Sequence, residues 1–173
     1  TEHVAVSDQP GMTKLLVPIK PTGHVGRSFG FISSDTKKST ELRSEIPNIT
    51  DMEEEDVRKI TIDDYCAEHN IATVDLIRCD VEGAEMQVCN GAKRIIDTHL
   101  PNISMEIHPT ALAENFASTG EEVRDFFLSR GYRMFYIEDS ELKEGTDIIN
   151  QIWYDYFFVH PSRTEALPPG PLY

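Results

Sequence analysis

Apolar positions in the second half of the chain recur with two periods, and the switches between them predict a run of strands and helices. Val57 to Ile60 reads as a short strand. Thr61-Ile-Asp-Asp64 has the [ST]-x-x-[DE] form of a helix start, which predicts a helix capped by Thr61 and reaching about His69. Thr73-Val-Asp-Leu-Ile-Arg-Cys79 is the next strand and ends at Asp80. Ala84, Val88, Ala92 and Ile95/Ile96 then fall at helical spacing, so a helix is predicted from Val81 to about Thr98. Pro101 breaks the pattern, and Asn102 to Ile107 alternates as a strand. Thr119-Gly-Glu-Glu122 is a second capping pattern, opening a helix that turns Val123, Phe126 and Phe127 inward and stops at Gly131, where a positive φ is expected. Tyr132 to Ile137 and Gln151 to Val159 are aromatic-rich strands.

The first third is less regular. His3 to Ser7 reads as the end of a strand, Asp8-Gln-Pro-Gly11 as a turn, and Thr13 to Pro18 as a second strand. Pro21 to Glu55 reads as a long, lid-like excursion, with the acidic run Asp51 to Asp56 as a solvated loop. The order β-α-β-α-β-α-β-β predicts an α/β domain over residues 1–160: a mainly parallel sheet, helices on both faces and an antiparallel last strand. The proline-rich segment Pro161 to Tyr173 is expected to be a loose tail. Ligands of open α/β sheets sit beyond the carboxyl ends of the strands, which directs attention to Asp80 and to Glu106 through His108.

Charge narrows the function classes. A formal net charge of -14 argues against a nucleic-acid backbone as partner and suits a neutral or cationic small molecule. No apolar run approaches the ~20 residues of a membrane helix, and the first residues do not have the form of a signal peptide. Cys66, Cys79 and Cys89 show no C-x-x-C spacing, so buried free thiols in a reducing, cytoplasmic setting are expected. Thr1 in place of an initiator Met suggests a cut rather than a natural start.

Few residues are placed to carry chemistry. Asp80 can cap the helix expected at Val81, or orient a substrate, act as base or bind a metal. Glu82 and Glu85 would fall in the first helical turn, where the helix dipole favours negative charge and i, i+3 spacing brings their carboxylates to one face. Gly83 within that turn calls for a close approach by a ligand or another element. Glu106 and His108 alternate with Met105 and Ile107 and so project from one strand face, as a hydrogen-bonded core pair or as a proton-abstracting one. This oxygen and nitrogen set would suit Mg²⁺ or Mn²⁺ better than zinc. The run Trp153, Tyr154, Tyr156, Phe157 and Phe158 is read as packing.

The segment Val74-Asp-Leu-Ile-Arg-Cys-Asp-Val-Glu-Gly-Ala-Glu85, followed by Asn90-Gly-Ala92, resembles the signature of FkbM-type methyltransferases. Ala5-Val-Ser-Asp8 with Gly11, Thr61-Ile-Asp-Asp64, Met105-Glu-Ile-His108 and Ser129-Arg-Gly-Tyr132 keep the family's order over about residues 3–160. Arg78-Cys79 and Cys89-Asn90 depart from the family's usual Lys-Ile and Leu-Lys. The resemblance implies a class I, Rossmann-like methyltransferase fold and S-adenosylmethionine as cofactor. It also implies O-methylation of a small-molecule or sugar-like acceptor. On this pattern Asp80, Glu106 and His108 would be catalytic, Ser7, Asp80 and Glu82 would contact the cofactor, and Glu85 the substrate. The family's glycine-rich cofactor loop would lie upstream of Thr1, in about 60 residues of preceding βα units. Two other readings stand beside this one. One is a non-catalytic module that self-associates through an exposed sheet edge. The other is an acidic metal-binding domain built on Asp80, Glu85 and His108.

Overall fold

The computed structural model describes residues 1–19, 21, 31–33, 51–149 and 153–166. Among these, nine strands form two sheets, accompanied by five α-helices. The first sheet has the order β1-β4-β2-β3, from β1 (Val4–Val6), β2 (Gly11–Ile19), β3 (Phe31–Ser33) and β4 (Asp51–Ile60). The acidic run expected as a loop is the first half of β4, paired antiparallel with β2 from Ile19↔Asp51 to Gly11↔Lys59. It forms a strand because β2 supplies the apolar partners Leu16 and Val17, while Lys14 meets Glu54 and Asp56 across the ladder at 3.6 and 3.2 Å. Of the long excursion expected from Pro21 to Glu55, residues 22–30 and 34–50 lie outside the described residues.

The second sheet has the order β5-β6-β9-β7-β8, from β5 (Leu76–Cys79), β6 (Asn102–Ile107), β7 (Arg133–Glu138), β8 (Glu141–Glu144) and β9 (Tyr154–Val159). β5 and β6 are parallel, and β9 runs antiparallel to both β6 and β7. β5, β6 and β7 therefore share one direction, with the expected antiparallel last strand inserted between β6 and β7. That insertion makes the sheet mixed, and a majority of parallel pairings is not seen among the described residues. The hairpin to β8 has Asp139 and Ser140 at its tip with φ of 54° and 63°, a primed two-residue turn without the usual glycine.

Helix α1 (Ile62–Glu68) begins as expected, with Thr61 Oγ1 accepting the Asp64 N–H at 2.9 Å. The single helix expected from Val81 to Thr98 is instead a turn followed by α2 (Glu85–Gly91) and α3 (Lys93–His99), broken at Ala92. The free N–H groups of Arg94 and Ile95 at the start of α3 are capped by the Asp63 carboxylate, both at 2.9 Å. Helix α4 (Pro109–Phe116), with Pro109 in its first turn, follows β6 and was not anticipated. Helix α5 (Gly120–Leu128) carries the full capping box between Thr119 and Glu122, and Gly131 beyond it has φ of 83°.

The core lies where α2, α3 and α5 cover the second sheet. Val88, Cys89, Ile96, Val123 and Phe127 meet Ile103, Met105, Ile107, Met134, Tyr156 and Phe158. Phe127 and Phe158 stack with ring centroids 4.3 Å apart, while Trp153, expected in the packing, is half exposed. All three cysteines are buried and free, as expected. The tail is partly ordered: Pro161–Ala166 forms a 3-10 helix, and Arg163 bonds Asp75 Oδ1 at 2.9 Å and the His99 carbonyl at 2.7 Å. Residues 167–173 lie outside the described residues. Among the described residues no helix is long and apolar enough to cross a membrane.

Candidate functional site

The parallel register of β5 and β6 pairs Cys79 with Met105. Asp80 and Glu106 are thus the next residues on adjacent strands, and His108 follows as α4 begins. The chain then makes a tight turn at residues 81–84 instead of entering a helix. Glu82 has φ of 51° and Gly83 has φ of 103°. A Cβ on Gly83 would stand 2.8 Å from the carbonyl carbon and from the Cβ of Ala111, so α4 packs directly on this turn. The close approach expected at Gly83 is therefore made by a helix, and the residue also needs glycine's left-handed freedom. For Glu82 a left-handed backbone costs of order 1–3 kcal/mol, which the surrounding contacts offset.

The turn swings Glu82 onto His108, with Oε2 3.3 Å from Nδ1. The other ring nitrogen, Nε2, lies 3.0 Å from Glu106 Oε1. The imidazole is almost completely enclosed, its side chain only 7% exposed, against 26% for Glu82 and 42% for Asp80. Asp80, Glu82 and His108 each offer one donor atom, all within 4.8 Å of one another. Arg78 reaches Asp80 from the rim at 3.4 Å. Burial raises the Glu82 carboxyl above its ordinary value, assisted by Asp80 and Glu106 and opposed by His108.

Glu85, expected on the substrate, is fully buried. Its Oε1 accepts the Gly83 N–H at 2.9 Å, and its Oε2 has no hydrogen-bond partner among the described residues. Burial pushes its carboxyl up to about 7. It supports the turn from inside. Nor do Glu82 and Glu85 share a helix face, because Glu82 precedes the helix.

Ser7, expected on the cofactor, lies elsewhere. It is buried, its Oγ bonds Asp8 Oδ1 at 3.1 Å, and its backbone N–H bonds the Ile60 carbonyl at 2.8 Å. Its carbonyl oxygen would lie 2.0 Å from a Cβ on Gly91, so the end of β1 is pressed against the far end of α2. At 1.5 Å per residue, Gly91 is about 9 Å along the helix axis from Glu85. The structure thus gathers Asp80, Glu82, Glu106 and His108, sets Glu85 behind them and leaves Ser7 apart. Sequence reasoning missed the direct Glu82–His108 contact. Its signal was Glu82-Gly83 itself, a pair suited to a turn as well as to a helix.

The family model described as the methyltransferase FkbM domain matches residues 2–134. Searches of curated proteins and of solved structures each returned no significant match.

Proposed function

This chain belongs to the FkbM methyltransferase family, and on that premise we propose that it moves a methyl group from S-adenosylmethionine to a hydroxyl oxygen of a small, sugar-like acceptor at the Asp80–Glu82–Glu106–His108 cluster. The observation that carries this reading is an imidazole with a carboxylate on each ring nitrogen, placed where two parallel strands end.

The donor set fits the cofactor. Asp80 and Glu82 can accept hydrogen bonds from hydroxyls and offset the positive charge of a sulfonium. When bound, S-adenosylmethionine supplies an electrophilic methyl group, so the chain has to align the acceptor and take its proton. Glu106 accepts from Nε2–H and so fixes the ring tautomer. Nδ1 is left facing Glu82 and, beyond it, the open side at Asp80. Because both ring nitrogens have carboxylate neighbours, the acceptor hydroxyl must displace Glu82 to deliver its proton to Nδ1. A small depression lined by Pro109, Thr119, Gly120, Glu121 and Ile148 begins one residue after His108 and offers room for an acceptor.

Calorimetric titration of this chain with S-adenosylmethionine in the presence of EDTA tests the reading. Micromolar binding, weakened about tenfold by Asp80→Asn, is the expected result. No heat at millimolar cofactor, or equal affinity in the variant, overturns it.

A second reading, an interaction module, is favoured by the edge of the second sheet. β5 is the terminal strand there and leaves Leu76 61% exposed. Self-association through that edge predicts a dimer in light scattering that Leu76→Lys disperses. A monomer at all concentrations removes this reading.

A further inference from the structure

We propose that Asp80 Oδ, Glu82 Oε2 and His108 Nδ1 form a three-point site for a divalent cation, Mn²⁺ in preference to Mg²⁺. Its existence does not depend on methyl transfer; only its role rests on that reading. The sequence set Asp80, Glu85 and His108 is corrected here, because Glu85 points inward and Glu82 takes its place.

Geometry is the first support. Bonds of about 2.0–2.2 Å put neighbouring ligands of an octahedral ion about 3 Å apart and opposite ones about 4.3 Å apart. Glu82 Oε2 and His108 Nδ1, at 3.3 Å, already stand near the neighbouring spacing. The three donors together need to close by only a few tenths of an ångström from their 4.8 Å limit. Asp80, the most exposed of the three, has the freedom to make that move.

The second support is the carboxylate behind the imidazole. Metal-binding histidines characteristically donate their other N–H to a carboxylate, which orients the ring and raises its basicity. Glu106, outside the set of three, stands at 3.0 Å from Nε2 in that position. The ring is therefore aimed, buried and held before any ligand arrives.

The third support is a buried polar atom without a partner. Glu85, two residues beyond Gly83 in the turn, is fully buried, and its Oε2 has no hydrogen-bond partner among the described residues. Three carboxylates, Asp80, Glu82 and Glu106, stand around one imidazole, and among the described residues Arg78 reaches the outermost of them, Asp80, at 3.4 Å. A divalent cation would balance that excess. Two carboxylates with one imidazole suit Mn²⁺, whereas Mg²⁺ prefers an all-oxygen shell. Asp80, 42% exposed, marks the open side of the three donors. An acceptor hydroxyl bound to such a cation would ionise more readily and pass its proton to water, while His108 Nδ1 would serve as a ligand instead of as the base.

The test is Mn²⁺ binding to this chain without cofactor, read from the loss of the free-ion electron paramagnetic resonance signal. One Mn²⁺ per chain at micromolar affinity is expected, with Mg²⁺ competing at least tenfold more weakly. Asp80→Asn and Glu82→Gln should each weaken binding tenfold or more while circular dichroism shows the fold unchanged. Glu106→Gln should weaken it less. Glu53→Gln, in the acidic strand, should leave it unchanged and so exclude diffuse binding by a chain of net charge -14. Absence of binding at millimolar Mn²⁺, or Asp80 and Glu82 variants that bind like the parent chain, overturns the site. Cofactor binding in EDTA without Mn²⁺ binding removes the cation and keeps the methyltransferase reading; the converse result removes that reading and keeps the cation.

Discussion

Two helices of this protein start after a short connection, α2 from a strand and α5 from a helix, and they do so in opposite ways. At α5, Thr119 Oγ1 accepts the Glu122 N–H at 3.2 Å, and Glu122 Oε2 accepts the Thr119 N–H at 3.1 Å and the Ser118 hydroxyl at 2.6 Å. Local side chains satisfy the local donors, with the backbone at Thr119 extended. At α2 the preceding backbone is left-handed at Glu82 and Gly83, Ala84 gives no side-chain cap, and Glu85 reaches back inside the protein to the Gly83 N–H. Had the helix begun at Val81, Asp80 would have been consumed as its cap. The strained turn leaves Asp80 at the surface of the cluster and carries Glu82 to His108. One start is arranged for stability; the other gives up stability to hold three side chains together.

The largest test of this contrast is Gly83→Ala. The new Cβ would meet the Ala111 backbone at 2.8 Å while the backbone keeps a φ of 103°. A loss of about 3 kcal/mol or more in urea denaturation is expected, together with loss of ligand binding at the cluster. Gly120→Ala in α5 is the control. Its Cβ would meet the Cγ2 of Ile148, also at 2.8 Å, but a side-chain end can shift, so about 1 kcal/mol is expected. Equal losses at the two glycines would erase the distinction between the two starts.

Next in size is the pH dependence carried by Glu85. Its carboxyl sits at about 7 in the folded chain against an ordinary 4.5, because burial disfavours the charge. Between those values the folded chain keeps a proton that the unfolded chain has released. The contribution is therefore fully present below about 4.5 and is lost as pH rises through 7, a change of about 3 kcal/mol. Glu85→Gln should flatten this part of the profile and be the more stable form at pH 8, read from thermal melts at pH 5 and pH 8. A variant with the parent's slope would show that the carboxylate is not desolvated as described.

How much of this was legible in the sequence follows from where the sequence rules hold. Thr61 and Thr119 announced their helices because capping needs a hydroxyl three residues before a donor, and nothing distant competes. β6 was legible from Met105 and Ile107 alternating with Glu106 and His108, and so was the meeting of Asp80 with Glu106 and His108. The start of α2 was not, because Val81 to Ala84 fits helical spacing; only the packing of Ala111 on Gly83 decides for a turn. The acidic half of β4 was hidden for a similar reason, its apolar partners being on β2. The β7–β8 hairpin escaped because Asp139-Ser140 adopts a turn usually marked by glycine. Long-range contact, rather than local preference, settles each of the missed elements.

Thr119→Ala examines the other side of the contrast. It removes the hydroxyl that accepts the Glu122 N–H and should cost about 1 kcal/mol. Affinity for S-adenosylmethionine and for Mn²⁺ should not change, since Thr119 lines the depression proposed for the acceptor and, among the described residues, no hydrogen bond or ion pair joins it to Asp80, Glu82, Glu106 or His108. A joint loss of stability and binding would couple the two helix starts, through Ile107 and Gly120 between them.

The smallest effect on stability is expected from Arg78→Gln, and it is the most discriminating. Arg78 and Asp80 form an exposed pair, 68% and 42% accessible at 3.4 Å, so the change should stay within about 0.5 kcal/mol. The cluster should respond even so. Removing a positive charge from the rim leaves Asp80 a freer carboxylate and lessens repulsion toward an incoming cation. At roughly 6 Å in water that repulsion is on the order of 0.7 kcal/mol per unit charge. Mn²⁺ affinity should therefore rise about threefold or more at low salt, and the gain should shrink as ionic strength increases. An unchanged affinity would mean that Asp80 does not face the ligand, and that the turn positions Glu82 and His108 without it.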